Sequence, residues 1–281
     1  MRPVARRTLL LAGLAALAGC GETVRKPSRV PMPRSWAPAP APVAPTPAAF
    51  TFADEFAGRA GSAPDPAKWA YDLGGGQWGN GELEVYTDSR ANSYQDGDSH
   101  LVIAATYEGG VYRSARLKTE GLFSQLGGHF EASIAVDHQP GLWPAFWMLG
   151  RDEPAVSWPQ CGEIDILENY GATPEIETTV HTPNGASDTY SQGAVIPGDA
   201  GFHVYRLDWE PAVMTFSRDG TEYLTVTKGE FPASSWVFGP SPPDDGGCFL
   251  LLNLAAGGLA GTPDPARWPV LYMIDYVHVW E

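Results

Sequence analysis

The stretch Trp158-Pro159-Gln160-Cys161-Gly162-Glu163-Ile164-Asp165-Ile166-Leu167-Glu168-Asn169 sets three acids among Ile, Ile and Leu. Side chains alternate faces along a β-strand, so Glu163 and Asp165 point the same way. Glu168 has the wrong parity. It joins that face only if one extra residue is accommodated between Asp165 and Glu168, which is a β-bulge, a device that re-aims side chains. The intervening Ile and Leu then face a buried side. The segment reads as a bulged strand of a sheet with one apolar and one acidic face.

Outward from it, short β-branched and aromatic runs recur at 99–107, 111–119, 129–137, 176–182, 202–210 and 273–280. Clusters of Gly, Pro, Asn and Asp separate them. Residues 213–217 and 223–226 flank Asp219-Gly220, a hairpin signal. No window after the first twenty residues holds an amphipathic helix of three turns. Many short strands with turn punctuation predict an all-β fold, a jelly-roll sandwich of two antiparallel sheets with a concave cleft. Aromatics are abundant, with ten Trp, eleven Tyr and eleven Phe. Most are core, and a few on a concave sheet would stack against sugar rings.

The first twenty residues are of another kind: arginines, an unbroken apolar run from Thr8 to Ala18, then Gly19-Cys20. This is the layout of an export signal, and the run is well short of the ~20 residues of a spanning helix. Residues 21–49 are rich in Pro and Ala. Proline removes a donor and fixes φ, so the stretch reads as an extended spacer. Residues 50–281 form one block of 232 residues, an ordinary size for one large all-β domain.

The formal net charge is −15, and loss of residues 1–19, with three arginines and no acid, takes it to −18. Such a surface repels nucleic acid and anionic lipid headgroups and suits a neutral substrate. Cys161 and Cys248 could pair in an oxidising compartment or remain buried thiols. No CxxC or His-rich cluster suggests a zinc or iron site.

The acid cluster points to chemistry. With the bulge, Glu163 and Glu168 lie about four strand steps apart, roughly 13 Å between Cα atoms. Each side chain reaches roughly 3–4 Å along the strand if the two lean together. About 5–6 Å then separates the carboxyls, close to the spacing that supports double displacement at a glycosidic bond. Three carboxyls on one face cannot all stay charged cheaply, so at least one holds its proton and can serve as a general acid. A solvated acidic face would not need the apolar side, and calcium favours loops with more oxygen ligands.

Glu163-Ile-Asp165-Ile-Leu-Glu168 resembles the ExDxxE signature of glycoside hydrolase family 16, in the bulged form of its laminarinase-like members. Other segments resemble the family in family order: Gln77–Thr87, Ser114–Leu117, Gly128–Ala132, Gly141–Leu149, Thr179–His181, His203–Glu210, Leu252–Gly258 and Ile274–Val277. The resemblance implies a retaining endo-acting enzyme on β-1,3- or mixed β-1,3/1,4-glucan. Glu163 would be the nucleophile, Glu168 the acid/base, and Asp165 would hydrogen-bond the nucleophile. Asn80, Glu82, Arg116, Trp143, Trp147 and His181 match substrate-binding positions. Glu55, Gly97 and Asp275 match a structural calcium site, with no cofactor for catalysis. The end of the apolar run resembles a lipoprotein signal with Cys20 as the lipidated residue. That implies an extracytoplasmic protein held at the membrane only through a lipid anchor, with a monomeric domain. The alternatives are a transglycosylase on the same site and a non-catalytic glycan-binding module. Three departures stand out: His129 replaces a common Arg, Ser133 stands near a position that is often basic, and Leu259-Ala-Gly-Thr-Pro follows Gly257-Gly258 where many relatives have Asn-Trp.

Overall fold

The computed structural model describes residues 49–171, 173–240 and 247–281. The signal, Cys20 and all but the last residue of the Pro/Ala spacer lie outside them. Two sheets pack face to face. One runs, edge to edge, Thr189–Pro197, Glu175–Pro183, Glu163–Glu168, Leu142–Gly150, Cys248–Ala256, Arg116–Lys118 and Ala70–Asp72. The other runs Thr221–Thr227, Val213–Arg218, Phe202–Glu210, Gly128–Val136, Val270–Trp280, Leu101–Glu108, Val111–Ser114 and Glu84–Tyr86. Phe52–Asp54 pairs with Val270–Trp280, and Ser93–Gln95 with Leu101–Glu108. The fold is the expected all-β jelly-roll sandwich.

The inner faces are apolar for the reason the alternation gives. Ile164, Ile166 and Leu167 share one core cluster with Phe146, Met148, Val180, Leu250 and Leu252 of their own sheet, and with Phe130, Ile134, Leu207 and Val277 of the other. Asp219 and Gly220 both take positive φ, 51° and 76°. They close the hairpin of Val213–Arg218 and Thr221–Thr227 at the Asp-Gly signal.

Three features depart from the sequence reading. The run 111–119 is two strands, not one: Val111–Ser114 lies in one sheet and Arg116–Lys118 in the other, with buried Ala115 as the crossing point. A small side chain lets the chain pass through the core there. The pair Glu84–Tyr86 with Val111–Ser114 is parallel, within otherwise antiparallel sheets. The long intervening connection permits that geometry. Cys248–Ala256, central to its sheet, is buried at every position, so it shows no alternation to read.

The bulge is present. Along Leu142–Gly150 the partners of 149, 148, 147, 146 and 145 are 163, 164, 165, 167 and 168, which leaves Ile166 as the extra residue. Deleting Ile166 should restore strict alternation with Glu168 still on the face of Glu163 and Asp165, at a cost of ~2–5 kcal/mol for the lost buried side chain. Ile166→Val keeps the residue count and should cost only ~0.5–1.5 kcal/mol. Urea unfolding of the two variants compares these costs; equal losses would contradict the packing role given to the Ile166 side chain.

Candidate active site

Because of the bulge, Glu163, Asp165 and Glu168 stand opposite Leu149, Trp147 and Ala145, three positions of one face. A row then crosses the sheet. Glu168 is opposite Ala145, Ala145 opposite Asn253, Asn253 opposite Arg116, and Arg116 opposite Asp72. Ala145, the small residue in mid-row, leaves a hollow in the floor. Asn80, Glu82, Arg116, Trp143, Trp147, Glu163 and Glu168 line the recess above it.

Each outer acid has an indole donor. Trp158 Nε1 donates to Glu163 Oε2 at 2.6 Å, and Trp143 Nε1 donates to Glu168 Oε1 at 2.8 Å. The Tyr170 hydroxyl donates to Glu168 Oε2 at 3.0 Å. His181 Nε2 lies 3.3 Å from Asp165 Oδ2.

The opposite wall is a single chain of hydrogen bonds. Trp147 Nε1 donates to Asn253 Oδ1 (2.7 Å), and Asn253 Nδ2 to the Tyr86 hydroxyl (3.1 Å). Tyr86 in turn donates to Glu82 Oε2 (3.1 Å), and Asn80 Nδ2 donates to Glu82 Oε1 (3.1 Å). The Arg116 guanidinium sits over the Trp147 ring, 4.7 Å from its centroid, and over Trp78 at 5.0 Å, with Asp72 as its ion-pair partner at 3.0 Å. Fixed donors and acceptors around tryptophan faces suit a ligand with many hydroxyls and apolar C–H faces.

A family model described as glycosyl hydrolases family 16 matches residues 80–245. A β-glucanase of Rhodothermus marinus is 37% identical over 233 residues, covering 78% of this chain and 80% of that protein. A glucan endo-1,3-β-glucosidase of Cryptopygus antarcticus is 35% identical over 251 residues, covering 81% and 90%. The crystal structure of the laminarinase catalytic domain from Thermotoga maritima superposes with a TM-score of 0.71 at 33% identity, covering 83% of this chain and 98% of that one. The chain belongs to glycosyl hydrolase family 16. It is a glycoside hydrolase.

The fold gathers the residues that the resemblance singled out. Five of the six candidate substrate-binding residues line one recess with Glu163 and Glu168, and the sixth, His181, pairs with Asp165. Trp158, Tyr170, Tyr86 and Asn253 were not among them. Tyr86 and Asn253 sit in segments that carry the resemblance and Trp158 precedes the acids, yet nothing in their spacing shows that they reach the acids or Trp147. Tyr170 follows the motif, where a turn residue carries no signal of contact.

Electrostatics separate this family 16 site from a solvated acidic face. Burial, then the Asp165 charge, push Glu163 from 4.5 up to about 8. Burial and the Glu163 charge push Glu168 up to about 7, opposed by the Trp143 and Tyr170 hydrogen bonds. Asp165, buried beside Glu168, is also raised. All three cannot be charged together at neutral pH, so the cluster holds at least one proton. Across the wall Glu84, buried and beside Glu82, rises to about 8.

Cys161 and Cys248 are buried and form no disulfide with each other. Cys161 is pushed up to about 12 by burial and by Glu153, which leaves it inert as a nucleophile. Of the residues matched to a calcium site, Asp275 falls in a gap. Phe52–Asp54 pairs with residues 277–279 of the last strand and Leu101–Ala105 with 270–274. Burial raises Asp275, with a smaller push from the Glu55 charge, and Glu55 Oε1 meets His278 Nε2 at 2.5 Å. Gly97, at φ +90°, lies in the turn leading to Leu101. Among the described residues, no three His, Cys, Asp or Glu side chains are grouped to hold a metal.

The Glu163 shift carries a sign. A carboxyl held at about 8 in the fold and 4.5 when unfolded binds more protons in the native state between those values. Its contribution to stability is therefore present below 4.5 and lost as pH rises through about 8. Glu163→Gln removes that loss. Thermal melts should coincide with wild type near pH 4.5 and exceed it near pH 9, a window taken from the same shift. A variant no more stable than wild type in the alkaline melt would refute the assigned burial cost.

Proposed function

We propose that this chain is a retaining endo-β-glucanase that cleaves β-1,3- or mixed β-1,3/1,4-linked glucan by double displacement. The observation that supports it most is the bulge at Ile166, which aims Glu163 and Glu168 into the same recess. A sugar ring bound over the hollow at Ala145 stacks against Trp143 and Trp147, and Asn80, Glu82 and Arg116 hydrogen-bond its hydroxyls. In the reactive form the proton that the coupled acids share sits on Glu168, which gives it to the glycosidic oxygen while a Glu163 carboxylate oxygen bonds to the anomeric carbon. The C–O bond breaks and the reducing-end fragment leaves. Water enters, Glu168 takes its proton, and the resulting hydroxide displaces Glu163 from the anomeric carbon, restoring both acids. Asp165, between them, holds a hydrogen bond to Glu163 and orients it.

Two further elements belong to this reading. The N-terminal segment exports the domain and anchors it through Cys20, with the Pro/Ala stretch as spacer, so the enzyme works outside the cytoplasm on a neutral polymer. Glu55, Asp275 and the Gly97 carbonyl supply hard oxygen donors for a structural calcium. There the cation would replace the His278 contact of Glu55 and brace the junction of three strands.

On laminarin, Glu168→Gln should lower kcat/KM by ~10²–10⁴-fold, and Glu163→Gln should leave no measurable turnover in a folded protein. Proton NMR of the first products should show the β-anomer before mutarotation. Initial α-anomer, or full activity in Glu163→Gln, would refute the mechanism. Added calcium should raise the melting temperature of wild type and not of Asp275→Asn; an equal rise in both would refute the metal site.

A further inference from the structure

The segment that follows the third acid is built as a rigid corner. Asn169 Nδ2 donates to the Thr173 and Glu175 carbonyls, at 3.0 and 2.7 Å. Its Oδ1 accepts from the Gly171 N–H at 3.3 Å, and its own N–H reaches the Pro144 carbonyl at 3.2 Å. Gly171 takes φ +81°, and a Cβ there would lie 2.7 Å from the Gln139 carbonyl oxygen. The corner is thus pressed onto the start of the Leu142–Gly150 strand.

Between these anchors Tyr170 lays its ring against Trp143, with centroids 4.9 Å apart, in a small cluster with Ala255 and Ala260. Its hydroxyl and the Trp143 N–H then take one Glu168 oxygen each, at 3.0 and 2.8 Å. Two donors from two packed rings form a fork that matches a carboxylate.

We propose that Tyr170 is a positioning residue: with Trp143 it clamps the Glu168 carboxyl in its acid/base orientation and stabilises the carboxylate that must form between the two half-reactions. This rests on the acid/base role given to Glu168 above. Burial and the Glu168 charge push the Tyr170 hydroxyl well above the usual tyrosine range, so it keeps its proton and donates at any working pH. The other charged groups near Glu168 are Glu163 and Asp165 on its own strand, Glu177 opposite it and His181 on the next strand, and Glu82 and Arg116 across the recess. In the proposed cycle the Glu163 charge disappears when the glycosyl ester forms. Its repulsion of Glu168 ends at that moment, and the two donors then favour the ionised base.

The test is Tyr170→Phe, which keeps the ring on Trp143 and removes only the donor. The alkaline limb of kcat/KM on laminarin, which reports ionisation of the acid in the free enzyme, should move up by about one pH unit. With a dinitrophenyl laminaribioside, whose departure needs no acid, kcat should fall about tenfold as base-assisted deglycosylation becomes limiting. Difluorotyrosine at position 170, a stronger donor of nearly the same size, should move the limb down and guards against misfolding of the Phe variant. A limb unmoved in either soluble variant overturns this inference. Glu168→Gln assayed alongside separates the two readings: wild-type activity there would remove the acid/base role itself. Its loss, with unmoved limbs in the Tyr170 variants, would remove only the role of Tyr170.

Discussion

One extra residue in one strand determines what the concave sheet can do. Without the bulge at Ile166, strict alternation from Glu163 would send Glu168 into the apolar interior, where an uncompensated carboxylate is untenable. With it, the carboxyls of Glu163, Asp165 and Glu168 share a face while Ile164, Ile166 and Leu167 remain in the core. The sheet bears the cost of an interrupted ladder, and the recess gains three acids close enough to repel one another.

That repulsion is itself useful. Burial and mutual charge raise all three carboxyls, with Glu163 near 8 and Glu168 near 7. A cluster that cannot be fully ionised at neutral pH retains a proton for a leaving oxygen. The indole N–H groups of Trp143 and Trp158 and the Tyr170 hydroxyl hold the carboxyls in orientation. On the far wall, the chain from Trp147 through Asn253 and Tyr86 to Glu82 and Asn80 fixes the acceptors and donors that face a sugar. The rings that shape the cleft thus also serve as the hydrogen-bond donors that orient its acids.

The arrangement has a consequence for stability. A native state that binds protons more tightly than the unfolded chain loses stability as pH rises. Glu84, raised to about 8 on the opposite wall, adds to the same slope. The site is held in place by what surrounds it: buried Phe146, Met148 and Leu252 beneath the floor and the corner at Asn169–Gly171 beside it.

Much of this was legible in the residues themselves. The alternation around Glu163–Glu168 determined a strand, its parity demanded a bulge, and Asp219-Gly220 specified a hairpin, because each is a local rule of backbone geometry. Resemblance to the family added Asn80, Glu82, Arg116, Trp143, Trp147 and His181, which the fold brings together. What only the tertiary structure decided is contact across the sheet. Arg116 lies between Trp78 and Trp147, Asn253 joins Trp147 to Tyr86, and Tyr170 turns back onto Glu168. Residues 116 and 253 meet only because Arg116–Lys118 pairs with Cys248–Ala256. The latter strand is buried on both faces, so its pattern carries no periodicity from which that register could be read.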